Sequence, residues 1–155
     1  MTMKVLALAL ATAVPLLAAE PAGFVVWSGS DLEAYGRKLA PKMNAGKLGV
    51  DQLASFGNHL TMIAHREADG EAELHEGQVD LFVVQGGEAT LVVGGEVVGG
   101  RTTAPGEVRG PSIKDGARRP LAVGDIVHIP AKTPHQLLVA PGKEFTYFVI
   151  KVDVP

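Results

Sequence analysis

Two segments of this 155-residue chain carry imidazole and carboxylate side chains at spacings that suit metal binding. The first segment, EAELHEGQVDLFVVQGG (residues 71–87), contains Glu73 and His75 two positions apart. If this stretch is extended, both side chains project from one face, because side chains alternate along a strand. A short glycine-containing turn leads on to Asp80, which opens the next strand. The turn can therefore bring these side chains together over one cavity.

The second segment, GDIVHIPAKTPH (residues 124–135), ends in a histidine after a tight turn. Pro130 and Pro134 bracket that turn, and His135 starts the next strand. The chain has no cysteine, so a transition-metal site must use mainly histidine and carboxylate. Such donors suit one divalent ion such as Zn, Fe, Mn, Ni or Cu. The spacing alone leaves open that these are surface or turn residues.

The elements that must position these residues are short predicted strands. From residue 53 onward, apolar runs are punctuated by separators such as Asp69-Gly70, and short glycine-containing separators are hairpin signals. The predicted strands are 59–66, 71–75, 80–85, 89–93, 97–98, 125–129, 136–139 and 144–152. Many short strands at this spacing predict an all-β sandwich or barrel.

The N-terminal part of the chain has a different character. Residues 1–19, MTMKVLALALATAVPLLAA, combine one lysine with an apolar run that ends in small residues, which predicts a secretory signal peptide. An uncleaved anchor is the alternative. The run of about 15 apolar residues is shorter than the roughly 20 that span a bilayer. We therefore expect an exported protein, periplasmic or secreted, with no membrane association after cleavage.

An extension, residues 20–52, is predicted between this peptide and the strands. Gly23–Trp27 is a strand candidate, and a helix is predicted over Asp31–Leu39. Ser30 and Glu33 have the spacing of a capping box at its start. Residues 44–52 are predicted to form a loop.

Residues 99–123 interrupt the rhythm of strands. This stretch is polar, contains three prolines and four arginines, and lacks clear periodicity. Connections of this length in a compact domain are usually functional or mobile. One interpretation is a solvated surface loop. The other is a rim over the mouth of a barrel, in which Glu107 and Arg109 would matter most.

The two His-containing segments resemble the two motifs of the cupin superfamily, small double-stranded β-helix barrels. The first motif has a glycine, a His-x-His pair, a glutamate and a final glycine, and the second has a glycine, a proline, a histidine and an asparagine. The positions that match are His75, Gly87, Gly124, Pro130 and His135. The resemblance covers residues 59–152 and implies a cupin jelly-roll barrel over residues 53–155, with a short N-terminal helix.

Several motif positions depart from the family pattern. Glu73 stands at the first histidine and Asp80 at the glutamate, while Lys132 and Val139 replace the second motif's glycine and asparagine. Glu67 stands where the first motif opens with glycine. The three-His, one-Glu metal set of the family thus becomes, at best, an acid-rich set of Glu73, His75, Asp80 and His135.

The resemblance implies a small-molecule substrate and either oxygenase or isomerase chemistry on one divalent metal, with no catalytic base assigned. Gln78, two residues before Asp80, and His65 on the preceding strand are further pocket candidates. Replacement of a motif histidine by Glu73 favours the alternative of a metal-free binder of a small molecule such as a sugar. A third interpretation is an interaction module in which residues 24–27 swap onto a partner to form a homodimer.

Composition excludes several other classes. The chain has 14 Lys and Arg against 17 Asp and Glu, a net charge of -3, so a general nucleic-acid binder is not expected. Without cysteine there is no disulfide framework and no thiol catalysis. No phosphate-binding GxxxxGK[ST] loop and no Gly-x-Ser-x-Gly turn occurs. The length suggests a single domain.

Overall fold

A computed structural model describes residues 18–155 of the chain. The predicted signal peptide, residues 1–19, lies outside the described residues except for its last two positions. Within the described range, no helix has the length and apolar character needed to cross a bilayer. The helix α1 spans Gly29–Leu39, and one 3-10 turn follows it at Ala40–Lys42.

Strands make up most of the described chain. They are β1 (Leu48–Ser55), β2 (His59–Arg66), β3 (Ala72–His75), β4 (Gln78–Gly87), β5 (Ala89–Val93), β6 (Glu96–Val98), β7 (Arg101–Ala104), β8 (Glu107–Gly110), β9 (Ser112–Lys114), β10 (Ala117–Leu121), β11 (Ile126–Ile129), β12 (His135–Leu138) and β13 (Phe145–Asp153). The eight predicted strands after residue 53 all form, most within two residues of their predicted ends.

The strands form two main sheets with antiparallel pairing. The five-stranded sheet has the order β1-β2-β13-β4-β11, and the six-stranded sheet has the order β10-β5-β12-β3-β8-β7. A separate two-stranded ribbon pairs β6 with β9. The sheets do not join into a continuous closed barrel, and they have the arrangement of a jelly roll. The predicted all-β jelly-roll architecture with a short N-terminal helix is confirmed.

The core lies between the two sheets and follows the alternation of β13. Phe145, Tyr147 and Val149 point into it and are almost fully buried. Phe148 and Ile150 point the other way, toward a second apolar cluster that includes α1. Since side chains alternate along a strand, the next residue on the core side is Lys151. A lysine is therefore carried into the interior.

Helix α1 covers the outer face of the five-stranded sheet. Leu32 and Leu39 pack against Ile63 and Phe148, and the Trp27 ring lies 5.6 Å from the Phe148 ring, centroid to centroid. The predicted strand at Gly23–Trp27 is wrong, because this segment pairs with no sheet among the described residues and leaves its valines exposed.

The helix starts two residues earlier than predicted, and its cap is a different serine. Ser28 is the N-cap: its side chain accepts from the backbone N–H of Asp31, and the Asp31 carboxylate accepts from the backbone N–H of Ser28. The predicted capping pair Ser30 and Glu33 is therefore wrong. Glu33 instead accepts from Arg37 one turn on, at 2.7 Å.

This cap assignment makes a direct prediction. Ser28→Ala should lower the free energy of unfolding by about 1 kcal/mol, because the first helical turn loses its side-chain acceptor. Ser30→Ala is the matched control and should change stability by no more than a few tenths. Urea unfolding of both variants measures the difference. A larger loss in Ser30→Ala would contradict the assignment.

Two segments predicted as loops form strands. The predicted loop at 44–52 is correct for residues 44–47 and wrong from residue 48 onward, because β1 pairs with β2 along its length and forms the edge of the five-stranded sheet. A bulge at Gln52/Ala54 breaks its alternation and hid the pattern. The predicted boundary between the extension and the strand region, at residues 52 and 53, falls inside this strand.

The polar interruption at residues 99–123 contains the strands β7, β8, β9 and β10. Three of these strands have exposed or half-buried side chains, which explains why they carry no apolar pattern. The loop prediction for this segment is wrong in secondary structure. Its strand β8 pairs directly with β3, beside the predicted metal-binding residues.

Candidate metal centre

Cross-strand pairing assembles the histidines and carboxylates between the two sheets. In the six-stranded sheet, His135 on β12 lies opposite Glu73 on β3. In the five-stranded sheet, Asp80 on β4 lies opposite Lys151 on β13. His75 follows Glu73 on β3, with the same facing side. Five functional groups from four strands thus meet in one interior cluster.

The four side chains predicted as metal ligands are brought together. His75 Nε2 lies 3.4 Å from Glu73 Oε2 and 3.4 Å from Asp80 Oδ2. His135 Nε2 lies 3.5 Å from Asp80 Oδ2 and 3.9 Å from Glu73 Oε2. The ligand atoms of Glu73, His75 and His135 all lie within 4.8 Å of one another.

His135 presents a bare nitrogen to this cluster. Its Nδ1 lies 3.0 Å from the backbone carbonyl of Thr133, which can only accept, so Nδ1 carries the hydrogen. The other ring nitrogen, Nε2, is buried and has no hydrogen-bond partner. Burying a nitrogen lone pair without a partner lowers the stability of the fold, unless a donor or a bound ion contacts it. This arrangement matches that of a metal-binding histidine, whose second nitrogen donates to a carbonyl.

His75 is held by its own set of partners. Its Nδ1 lies 2.7 Å from Glu107 Oε2, so that nitrogen donates to the carboxylate and Nε2 faces the cluster. The backbone carbonyl of His75 accepts from the N–H of Lys132 at 2.7 Å, which ties β3 to the turn before β12. Lys132 has a φ of 63°, so this motif position keeps the left-handed backbone of a glycine although it carries a side chain.

Lys151 is the functional residue that sequence reasoning missed. Its Nζ lies 2.7 Å and 2.9 Å from the two carboxylate oxygens of Asp80, and 2.9 Å from His75 Nε2. The ammonium therefore sits at the point where three of the candidate ligand atoms converge. The signal was the alternation of β13, which puts Lys151 on the same side as Phe145, Tyr147 and Val149.

Two arginines surround Glu73. Arg109 on β8 forms an ion pair with the Glu73 carboxylate, and Arg66 NH2 lies 3.7 Å from the same group. Arg66 Nε also donates to the Tyr147 hydroxyl at 3.1 Å. Glu107 and Arg109, the two residues singled out in the 99–123 segment, both contact the cluster from strand β8 of the six-stranded sheet.

The two further pocket candidates lie elsewhere. His65 is on the opposite face of β2 from Arg66, where its Nδ1 contacts Thr146 Oγ1 at 2.8 Å beneath α1. Gln78 donates to Asp153 at 2.8 Å, at the open end of the sheet. The structure brings neither residue into contact with the cluster.

Open space beside the cluster is small. A cavity of about 20 Å³, lined by Arg66, Glu73, Phe82, His135 and Tyr147 among others, is large enough for about one water molecule. A cleft of about 130 Å³, lined in part by Arg66, Glu73 and Arg109, lies on the outer side. A ligand entering this way would pass between the two arginines and would have to be small.

Comparison with solved structures identifies the architecture. A double-stranded β-helix protein of uncharacterised function from Klebsiella pneumoniae superposes with a TM-score of 0.57 at 15% identity, covering 83% of this chain and 89% of the other. A predicted oxalate decarboxylase from Thermotoga maritima gives a TM-score of 0.52 at 11% identity, covering 69% of this chain and 81% of that one. The chain has the cupin fold.

The other comparisons add little to the cupin assignment. A DMSP lyase from Ruegeria pomeroyi matches with a TM-score of 0.49 and 16% identity over 68% of this chain. The match covers 47% of that enzyme, so this chain spans about half its length. No protein-family model matches the sequence. No curated protein matches it either.

The donors in the interior of this chain are of the kind that binds a divalent metal. Two imidazoles and two carboxylates are hard and borderline ligands suited to Zn, Fe, Mn, Ni or Cu. The orphaned Nε2 of His135 is the strongest single sign that an ion belongs there. The Lys151 ammonium is the opposing feature, because a metal bound by His75 and Asp80 must replace it at both ligands.

The protonation states in the cluster are coupled. Burial alone would raise the pKa of Glu73, but the hydrogen bond from His75 and the charges of Arg109 and Arg66 lower it to about 2. Burial alone would lower the pKa of His75, but hydrogen bonds to Asp80 and Glu73 raise it to about 9 against the opposing Lys151 charge. A proton, the Lys151 ammonium and a metal ion are therefore mutually exclusive at His75 Nε2.

These shifts predict how the stability of the metal-free protein depends on pH. The Glu73 contribution is present above its ordinary pKa of 4.5 and is lost as the pH falls toward 2. The His75 contribution is complete below its ordinary pKa of 6.5 and is lost as the pH rises through about 9. Urea unfolding in EDTA should show maximal stability between these limits, with losses on the order of 2 kcal/mol on each side. A rise in stability between pH 6.5 and pH 9 would contradict this reasoning.

Proposed function

We propose that this cupin binds one divalent metal ion in its interior through Glu73, His75 and His135, with Asp80 as an additional oxygen donor. The observation that carries the proposal is the buried Nε2 of His135, which has no hydrogen-bond partner and faces two carboxylates. Its Nδ1–H donates to a backbone carbonyl, so the ring is oriented with that lone pair inward. No donor among the described residues satisfies it.

The surrounding residues would each have a defined task. Glu107 holds the His75 ring through Nδ1 and keeps Nε2 directed inward. Arg109 and Arg66 compensate the charge of Glu73 and line the cleft that leads from outside. Two arginines on this path favour a small molecule that carries a carboxylate or another anionic group.

We propose oxygenase or isomerase chemistry on such a small molecule as the activity of the loaded protein. A bound divalent metal with an open position would polarise a substrate oxygen or bind dioxygen or water. The protein itself would orient the anionic group through Arg66 and Arg109. The small cavity beside His135 and Phe82 would limit access of bulk water to the reacting group.

Metal uptake tests the proposal. The full chain, purified without an affinity tag and stripped with EDTA, would be incubated with Fe, Mn, Zn, Ni or Cu ions and desalted. Plasma mass spectrometry should then find about one metal per chain for at least one of these ions. A protein that stays empty with all five ions would contradict the proposal.

A second candidate function is metal-free binding of a small molecule such as a sugar. The observation in its favour is that the cluster already balances its own charge: the carboxylates of Glu73, Asp80 and Glu107 face the cations of Lys151, Arg66 and Arg109. On this alternative the ammonium permanently replaces a metal ion. An empty wild type that binds a sugar in calorimetry would favour it.

Export is proposed from the N-terminal residues 1–19 alone, by analogy with secretory signals. Recovery of a shortened chain from the periplasm or medium, shown by intact mass, would support it.

A homodimer is likewise proposed only from the exposed apolar residues at Phe24 and Val26. A concentration-independent monomer mass would contradict it.

A further inference from the structure

The interior position of Lys151 has a consequence for metal binding. Its side chain is 17% exposed, while the Asp80 carboxylate that it contacts is 3% exposed. The ammonium donates two hydrogen bonds to Asp80, and its third hydrogen is accepted by His75 Nε2, 2.9 Å away, when that nitrogen carries no proton. The ammonium is therefore held as a cation between Asp80 and His75, two of the candidate metal ligands.

The pairing of β13 with β4 fixes the position of Lys151. Lys151 lies directly opposite Asp80 in the register between β13 and β4. Cross-strand neighbours of opposite charge attract one another, and the three preceding core-side residues of β13 anchor the strand by their burial. The ammonium cannot leave Asp80 by sliding of the strand, so any displacement must come from rotation of its four-carbon stem.

We propose that Lys151 is a resident cation that competes with the metal ion and thereby sets the metal affinity of the site. The ammonium uses the His75 lone pair and the Asp80 oxygens that an incoming ion needs. It also repels a second positive charge within a few ångströms. Metal binding must therefore displace the side chain, whose flexible stem starts two residues before the exposed end of β13. This inference rests on the proposed metal-binding function.

Removal of the charge should strengthen metal binding. Zn²⁺ affinity of the metal-stripped full chain would be measured by competition with a chelator. Lys151→Met and Lys151→Gln should each bind Zn²⁺ at least about tenfold more tightly than wild type, because a like charge near the ion is removed. Lys143→Met, which removes an exposed lysine paired with Glu88, is the matched control and should leave the affinity unchanged.

The outcomes separate the two proposals. Equal or weaker Zn²⁺ binding in both Lys151 variants, with tight binding in wild type, overturns the role of Lys151 and leaves the metal site standing. Absence of binding of Zn²⁺, Fe, Mn, Ni and Cu ions in wild type and in both variants overturns the metal site and, with it, this inference. Lys151→Gln keeps a donor for Asp80, so it remains informative if the methionine variant unfolds.

A measurement on the wild type alone gives an independent test. Acetic anhydride labels accessible lysines, and peptide mass spectrometry reports the labelling rate at each position. Addition of Zn²⁺ should increase labelling of Lys151 severalfold, because the displaced amine leaves Asp80, while labelling of Lys143 should not change. Unchanged or slower labelling of Lys151 in the Zn²⁺-loaded protein would overturn the displacement.

Discussion

Replacing His135 with alanine should lower the affinity for a divalent metal at least about 100-fold, since loss of a residue that merely orients a ligand already costs about 10–100-fold. The His135 Nε2 is the one candidate ligand atom that neither donates to nor accepts from another group in the cluster. Its removal therefore deletes a metal bond without rearranging Lys151 or Asp80. Chelator competition with Zn²⁺ measures the change.

The control for this experiment is another histidine of the same chain. His128 lies on β11 and is exposed, so His128→Ala should leave the Zn²⁺ affinity within a factor of two of wild type. His75→Ala should weaken binding as strongly as His135→Ala. If His128→Ala and His135→Ala had equal effects, the ion would be bound at the surface and not between the sheets.

Replacing Asp80 with asparagine should destabilise the metal-free protein by about 3 kcal/mol, because breaking a buried ion pair leaves the partner charge uncompensated. Burial alone would raise the pKa of Asp80, but the hydrogen bond from His75 and the charge and hydrogen bonds of Lys151 hold it well below its ordinary value. The carboxylate is thus ionised and neutralises the Lys151 ammonium at neutral pH. Urea unfolding in EDTA at pH 7 measures the loss.

A double-variant cycle shows whether that loss comes from the pair. The double variant Asp80→Asn/Lys151→Met should lose clearly less stability than the sum of the losses in the two single variants. The second substitution removes the charge that the first leaves unpaired. Glu88→Gln, which breaks the exposed pair with Lys143, should cost less than about 1 kcal/mol. Strict additivity of Asp80→Asn and Lys151→Met would refute the coupling.

The sequence predicted the strands with clear apolar patterns and missed those without them. The strand β2 was predicted with its observed ends, because it lies in the middle of a sheet and both its faces are buried. Because both faces of β2 are buried, its pattern does not show which face points to the interior. In the structure Arg66 points to the interior and His65 points to α1, an assignment that alternation alone does not give. Strands β7 and β10 are exposed and polar, so no pattern marked them.

The site was predicted in outline from residue types and the family resemblance. Glu73, His75, Asp80 and His135 do meet, because strand pairing converts their spacing into proximity. Lys151 was missed because the residues just before it are apolar on both faces of β13. The sequence therefore shows no alternation that would place Lys151 in the interior. Gln78 has the right period but lies beyond the end of the cluster, paired with Asp153. Sequence periodicity predicts the face on which a side chain lies but not its distance along the strand, and that distance places Gln78 outside the cluster.

The most direct test is a crystal structure of the Zn²⁺-loaded full chain with anomalous data collected at the zinc edge. We expect one anomalous peak within bonding distance of His75 Nε2 and His135 Nε2, about 2.1 Å from each, with Glu73 or Asp80 as a further ligand. Lys151 Nζ should have moved away from His75. A zinc peak only at surface residues such as His128, with the Lys151 ammonium still hydrogen-bonded to His75 and Asp80, would contradict this expectation.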